Sequence, residues 1–250
     1  MDDRVSAEEL LKLQSEAQDN SPFDTLKLRK NLWNDYKQGA AEVFVKSCEY
    51  GRVITLCRRG TTPFMPLRFW GRILQAFRLP PVRIFWFAAE TPRELPEEGT
   101  HVGPESVNGG YTYPCETGAI VIYRAEEATR VLIHELLHAA CTDNPKLPVE
   151  VREAKTETYA ELFLVGLLSR GSLQKARKFW SLQAEWIQGL NEKLVRYHGV
   201  KSLKDYSARY TLARIQELQR LGIALPPFSG VAVPGGSARL TSPELEKYML

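Results

Sequence analysis

Apolar residues follow one another from Val131 to Ala140, with only three polar positions among them. A helix of this composition is apolar on nearly every side, which is typical of a helix inside a core. Glu126 and Glu127 stand before it, where negative charge stabilises a helix N-terminus. Asp143-Asn144-Pro145 is expected to end it. The pattern therefore predicts a buried helix between these two signals.

A second helix is predicted from Pro148 to about Ser169, because proline suits a first turn and Gly171 is a suitable stop. Glutamates recur along it at intervals of three, four and four residues, and such spacing puts them on one helical face. The glutamate row consists of Glu150, Glu153, Glu157 and Glu161. A solvated acidic face is the simplest explanation, although like charges four residues apart repel each other.

Two strands are predicted before the buried helix. Val82–Ala88 follows a helix-like stretch, Phe69–Phe77, and the breaker Pro80-Pro81. Gly118–Arg124 leads directly into the buried helix. Between them, Asn108–Tyr113 contains two glycines and predicts either a hairpin turn or a further strand. These elements predict an α+β fold with a small mixed or antiparallel sheet beside the buried helix.

The rest of the chain suggests an organisation in four segments. Ser6–Glu9 has a capping-box pattern that opens a short helix. Helices are expected over Leu173–Tyr197 and Leu203–Leu221, and Pro226–Gly236 is rich in proline and glycine. The predicted segments are an N-terminal helical or extended segment over 1–60, a core over 61–171, a mostly helical lobe over 172–225 and an extended tail over 226–250.

The polar residues of the buried helix are His134, Glu135 and His138. They place two imidazoles four residues apart on one face, with a carboxylate beside the first. This spacing suits a zinc ion and the general base that acts on its bound water. Left buried and unpaired, each group would cost about 1–3 kcal/mol or more. A coincidental pair of helical histidines is the alternative.

A catalytic zinc usually takes three protein ligands and one water. The chain has four histidines in all. One zincin pattern requires a third histidine six residues after the second, but Asn144 occupies that position. The remaining option is a carboxylate, and the glutamate row on the next helix supplies several.

These residues resemble the gluzincin metallopeptidases, in which HExxH is followed by a glutamate ligand. Here 18 residues separate His138 from Glu157. The string Glu157–Glu161 is similar to the Glu-x-aromatic-Ala-Glu element of aminopeptidase N-like enzymes, and thermolysin-like enzymes have a related arrangement. The resemblance covers about 40 residues, Gly118 to Glu161. It implies a zincin-like catalytic domain with Zn²⁺ on His134, His138 and Glu157, Glu135 as general base, and Glu161 orienting a ligand histidine.

The resemblance also implies where a substrate and an oxyanion would bind. Gluzincins pair the substrate backbone with an edge strand, for which the candidates are Asn108, Gly109 and Gly110, or Gly118 and Ala119. They often stabilise the oxyanion with a tyrosine or histidine, for which the candidates are Tyr197, His198, Tyr206 and Tyr210, with Tyr210 preferred and His198 second. The amine-binding motif of the aminopeptidases (Gly-x-Met-Glu-Asn) is replaced by Gly118-Ala119-Ile120-Val121. Aminopeptidase specificity is therefore not implied.

The leading hypothesis is a zinc metallopeptidase that acts on a peptide or protein substrate. One alternative is a catalytically silent, zinc-stabilised scaffold that binds a partner through its cleft. Another is a zinc hydrolase of a non-peptide amide. Retention of Glu135 argues against the scaffold, because a purely structural zinc site needs no general base.

Composition and charge bear on the partners and the cellular location expected of the protein. The chain has 250 residues, 44% hydrophobic content and a formal net charge of +3. Residues 167–220 hold eleven basic and four acidic residues, but solvated helix faces explain this better than nucleic-acid binding. No apolar run reaches the 18 residues expected of a membrane helix. The acidic start, Met1–Arg4, lacks an apolar signal core. A cytoplasmic location is therefore expected.

The four cysteines show no CxxC spacing, so they predict no second zinc site. In a chain without a signal peptide they are most simply reduced thiols. Cys141 follows His134 by seven residues, on the same helical face if the helix continues that far. Filling a gap in the core is its expected role.

Overall fold

The computed structural model of the protein describes residues 4–144, 146–227, 233 and 235–249. The chain forms two compact units. Unit 1 comprises Met1–Pro92 and Asn108–Thr142, and unit 2 comprises Arg93–Val107 and Asp143–Leu250. This division differs from the predicted segments, because the predicted core over 61–171 is shared between both units.

The described elements confirm an α+β fold with a small mixed sheet. The strands are β1 (Ala41–Cys48), β2 (Gly51–Arg58), β3 (Val82–Phe87), β4 (Gly110–Tyr111) and β5 (Ile120–Ile122). The helices are α1 (Ala7–Gln18), α2 (Leu28–Lys37), α3 (Leu67–Phe77), α4 (Pro104–Val107), α5 (Ala128–Ala139), α6 (Val149–Ser169), α7 (Leu173–His198), α8 (Leu212–Arg220) and α9 (Pro243–Glu246). A 3-10 helix spans Tyr206–Tyr210.

The sheet of unit 1 has the strand order β1-β2-β3-β5-β4. The β1–β2 and β4–β5 pairs are antiparallel, whereas β2–β3 and β3–β5 are parallel. Strand β3 reads Val-Arg-Ile-Phe-Trp-Phe and is buried except at Arg83, as expected of an inner strand covered on both faces. The β1–β2 hairpin lies in the segment predicted to be helical or extended, for which the sequence analysis named no individual strand.

Helices cover both faces of this sheet. On one face, α1 and α2 contribute Leu13 and Leu32 to a core that also contains Phe85 of β3. On the other face, Trp86 of β3 lies against Trp70 of α3, with ring centroids 5.4 Å apart. The alternation of side chains along β3 therefore supplies two separate cores.

Unit 2 is mostly helical. Helix α6 packs against α7, α8 and the 3-10 helix. The helix predicted over Leu203–Leu221 is instead divided into the 3-10 helix and α8. Residues 228–232, 234 and 250 of the predicted tail lie outside the described residues. The part of the tail that is described includes α9 and buries Leu240, Leu245 and Met249, so it is packed rather than extended.

None of the helices formed by the described residues is both long enough and apolar enough to cross a membrane.

Candidate metal centre

Helix α5 carries the HExxH residues and lies inside unit 1. Each of its 12 residues is buried, and it packs against α3, β4 and β5. Leu132, Ile133 and Leu136 are 0% exposed. The predicted buried helix is confirmed, although it ends at Ala139 rather than immediately before Asp143.

His134 and His138 lie one turn apart on α5 with their ring nitrogens facing each other. The two Nε2 atoms are 2.9 Å apart, and the rings meet edge to face at 72°. Zinc bound tetrahedrally by two imidazoles at about 2.0–2.1 Å requires nitrogens about 3.3 Å apart. A small opening of the pair would therefore accommodate the ion. In the absence of an ion, the N–H of one ring can donate a hydrogen bond to the ring nitrogen of the other. The tautomers of the two histidines decide which ring is the donor.

Glu135 is 5% exposed and lies close to strand β4. A Cβ atom placed on Gly110 would be 3.5 Å from Cγ of Glu135. The same atom would be 2.5 Å from Cγ1 of Val131 and 2.8 Å from the carbonyl oxygen of Val121. The backbone of β4 approaches α5 this closely because residue 110 has no side chain. The candidate general base thus lies beside the last strand of the sheet.

The strand order separates the two predicted substrate-binding segments. Strand β4 is at the end of the sheet, whereas β5 is paired on both sides. Gly118 and Ala119 lead into β5, so they do not form a sheet edge. The carbonyl oxygens of Asn108 and Gly109 already accept hydrogen bonds within unit 1. Of the five predicted substrate-binding residues, Gly110 is the one that belongs to the edge strand itself.

The prediction of four reduced thiols is wrong for two of them, because Cys115 and Cys141 form a disulfide. Helix α5 ends before Cys141, whose backbone is left-handed with φ 59°. Its side chain therefore leaves the helical face of His134. Cys48 and Cys57 are free.

The C-terminal end of α5 is a Schellman motif. The N–H of Thr142 donates to the carbonyl of Leu137 at 3.2 Å, and the N–H of Cys141 donates to that of His138 at 3.0 Å. The N–H of Cys115 donates to the same His138 oxygen at 3.0 Å. Cys141 occupies the left-handed position where glycine is usual, at a cost of about 1–2 kcal/mol. Both cysteines of the disulfide therefore donate backbone hydrogen bonds to the carbonyl of His138.

The glutamate row lies on α6, within one residue of the predicted helix bounds. Glu157 and Glu161 are 4% and 1% exposed, whereas Glu150 and Glu153 are half-buried. A solvated acidic face therefore does not describe the last two members of the row. Buried carboxylates need compensating partners.

Glu161 is paired with Arg214 of α8. Nη1 of Arg214 donates to Oε2 of Glu161 at 3.1 Å and to the backbone carbonyl of Leu240 at 3.1 Å. The pair contributes a charged partner for one of the two buried carboxylates. Sequence reasoning missed Arg214. The sequence feature that could have identified it is its position: Arg214 lies on the same face of α8 as the buried residues Ala213 and Leu218.

Tyr210, the preferred oxyanion donor, lies in the 3-10 helix with its ring 5.6 Å from that of Tyr206. Burial, the carboxylate of Glu153 and the neighbouring Tyr206 raise the pKa of the Tyr210 hydroxyl well above its usual value. Tyr210 is therefore a protonated hydrogen-bond donor at neutral pH. His198 lies at the end of α7, with Nδ1 3.1 Å from the carbonyl oxygen of Thr100.

The predicted site residues are divided between the two units. His134, Glu135 and His138 belong to unit 1, and Glu157, Glu161 and Tyr210 belong to unit 2. Compared with family models, curated protein sequences and solved structures, the chain gives no match. The chemistry of the side chains is therefore the basis for assigning a function.

Proposed function

We propose that the protein is a zinc-dependent metallopeptidase. His134 and His138 are two of the proposed zinc ligands, and Glu135 is the proposed general base. The observation that carries the proposal is the buried histidine pair, whose Nε2 atoms are 2.9 Å apart on a helix with no exposed residue. Two imidazoles and a carboxylate within one buried turn lose hydration, and a bound cation with its water compensates for that loss.

The proposed third ligand is a carboxylate of α6. Glu157 is supported by the resemblance to the gluzincins and by its burial, with 4% exposure. Glu153 stands one turn earlier on the same helical face and is half-buried. Either would complete a ligand set of two histidines and one glutamate, which is common in zinc peptidases. The two candidates differ by one helical turn, so matched substitutions can separate them.

When bound, zinc would polarise the scissile carbonyl and acidify the attacking water. Glu135 is the group that would take a proton from the attacking water and deliver it to the leaving amine. Glu161 is the proposed hydrogen-bond partner of a ligand histidine, and its pairing with Arg214 restrains the position of its carboxylate. Tyr210 remains protonated because of its raised pKa, which suits donation to an oxyanion.

The position of β4 supports a peptide as the substrate. Strand β4 is the last strand of the sheet, and its Gly110 lies against Val131 and Glu135 of α5. An extended peptide that pairs with an edge strand gains main-chain hydrogen bonds of little sequence preference. At β4 such a peptide would run beside the proposed general base.

Elemental analysis and a cleavage assay together test this function. The parent protein is expected to hold about one zinc and to cut members of a broad panel of peptides and unfolded proteins. Glu135→Gln should keep the zinc and lose hydrolysis by about 10²–10⁴-fold. Glu90→Gln, at an exposed position of unit 1, should change neither property. A zinc-free parent, or equal cleavage by the parent and Glu135→Gln, would contradict the proposal. Bound zinc without any cleavage would favour the scaffold.

A further inference from the structure

The loop after β4 and the end of α5 meet at one backbone oxygen. The N–H groups of Cys115 and Cys141 both donate to the carbonyl of His138 at 3.0 Å, and the two cysteines are joined by a disulfide. Both residues have left-handed backbones, with φ 65° and 59° respectively. Residues other than glycine rarely adopt this conformation. The covalent bond therefore restrains a backbone arrangement that neither cysteine would favour alone.

The disulfide is accessible although the histidine beside it is not. Cys115 and Cys141 are both exposed, whereas His138 is 8% exposed. A small reductant can reach the sulfur atoms without opening the core. The bond also joins the loop after β4 to the turn after α5. Strand β4 and helix α5 themselves meet at Gly110 and Glu135.

We propose that the Cys115–Cys141 disulfide is a redox-sensitive clamp that positions His138, so that metal retention depends on the oxidation state of this bond. The inference rests on the proposed zinc site. Cys115 and Cys141 act through His138 and are positioning residues, since their sulfur atoms are bonded to each other and are not available as ligands.

Reduction opens the clamp by thiol–disulfide exchange. A thiolate of a dithiol reductant attacks one sulfur and forms a mixed disulfide, and the second thiol of the reductant then displaces the remaining cysteine. The protein gains two electrons and two protons as two thiols, and the reductant leaves as a disulfide. The backbones of Cys115 and Cys141 can then relax, which weakens both hydrogen bonds to His138 and loosens the last turn of α5. Loss of groups that orient a metal ligand typically weakens metal affinity by about 10–100-fold.

Zinc affinity measured by competition with a chromophoric chelator tests the clamp. Each protein is measured oxidised and reduced, and the reductant is removed without air before titration because dithiols bind zinc. Reduced parent and Cys115→Ser/Cys141→Ser are expected to bind zinc at least about tenfold more weakly than oxidised parent. The double variant should not respond to reductant. Cys48→Ser, which keeps the disulfide, should match the parent in both states.

A second variant separates positioning from general stability. Cys115→Ser/Cys141→Gly removes the disulfide but supplies glycine at the left-handed end of α5, so the helix end keeps its favoured residue. A disulfide with a merely structural role would lower the melting temperature and leave the zinc affinity of the folded protein unchanged. The clamp instead requires weaker zinc binding in this variant even where its melting temperature approaches that of the parent.

Amide hydrogen exchange gives a readout that does not need zinc. After reduction, the amides of Cys115 and Cys141 should exchange faster while those in the middle of α5 keep their protection. Unchanged exchange, or zinc affinities within about twofold in both oxidation states, would overturn the clamp and leave the proposed function standing. Absence of zinc from the oxidised parent would instead overturn the proposed function and the clamp together.

Discussion

Arg214 and Glu161 form an ion pair across 3.1 Å, with side chains that are 0% and 2% exposed. The pair joins α8 to the buried end of the glutamate row on α6. Nη1 of Arg214 also donates to the carbonyl of Leu240, so the same guanidinium contacts the described C-terminal part of the chain. Removing one partner leaves the other charge buried, which costs far more than the pair contributes.

We expect Arg214→Met to lower the free energy of unfolding by about 3–5 kcal/mol, because Glu161 would keep a buried charge without this partner. Urea denaturation measures the change. Arg214→Met/Glu161→Leu should recover a large part of the loss. Arg196→Met is the matched control, since Arg196 and its partner Glu192 are 67% and 52% exposed, and it should cost at most about 1 kcal/mol. Equal losses from Arg214→Met and Arg196→Met would contradict a special role for the buried pair.

Substitutions along the glutamate row test the third ligand. Glu157→Gln should weaken zinc affinity more than Glu153→Gln or Glu150→Gln, because a neutral amide is a poor zinc ligand. Glu161→Gln should lose about 10–100-fold through its effect on a ligand histidine. Chelator competition measures all four variants under one set of conditions. Loss of zinc from Glu153→Gln with retention by Glu157→Gln would move the ligand one turn earlier.

Gly110→Ala should lower the free energy of unfolding by about 1–3 kcal/mol, as overpacking of a close contact does. The added Cβ would meet Cγ1 of Val131 at 2.5 Å and the carbonyl oxygen of Val121 at 2.8 Å. Gly118→Ala is the control, because its Cβ would meet no atom of the described residues within 4 Å. Denaturant midpoints compare the two variants. Indistinguishable midpoints would mean that β4 does not lie this close to α5.

Tyr210→Phe should keep zinc and the fold but lower kcat by about 10²–10³-fold, the usual effect of removing one oxyanion donor. Steady-state kinetics on a cleaved peptide provides the measurement. Tyr248→Phe is the control, because Tyr248 is 39% exposed and is not among the candidate oxyanion donors. A parent-like kcat for Tyr210→Phe would exclude Tyr210 as the oxyanion donor and leave His198 as the next candidate.

Local periodicity explains the elements that sequence reasoning predicted well. His134, Glu135 and His138 occupy consecutive turns of one helix, so their spacing alone places both imidazoles on one face. Burial of α5 follows from its composition. The bounds of α6 and α7 agree with prediction within one residue, because proline, serine and glycine mark their ends.

The disulfide and the buried Arg214 needed the folded chain, because each depends on which remote segments meet and no short spacing encodes that. The hairpin of β1 and β2 is a local pairing across two residues, and the sequence analysis did not specify it. Cys115 and Cys141 are 26 residues apart, and they meet because α5 ends at Ala139 and turns Cys141 towards the loop after β4. The sequence by itself determined the chemical groups and their helical spacing. Tertiary packing alone decided that Gly110 lies against Glu135, that Arg214 is the partner of Glu161, and that two cysteines hold the carbonyl of His138.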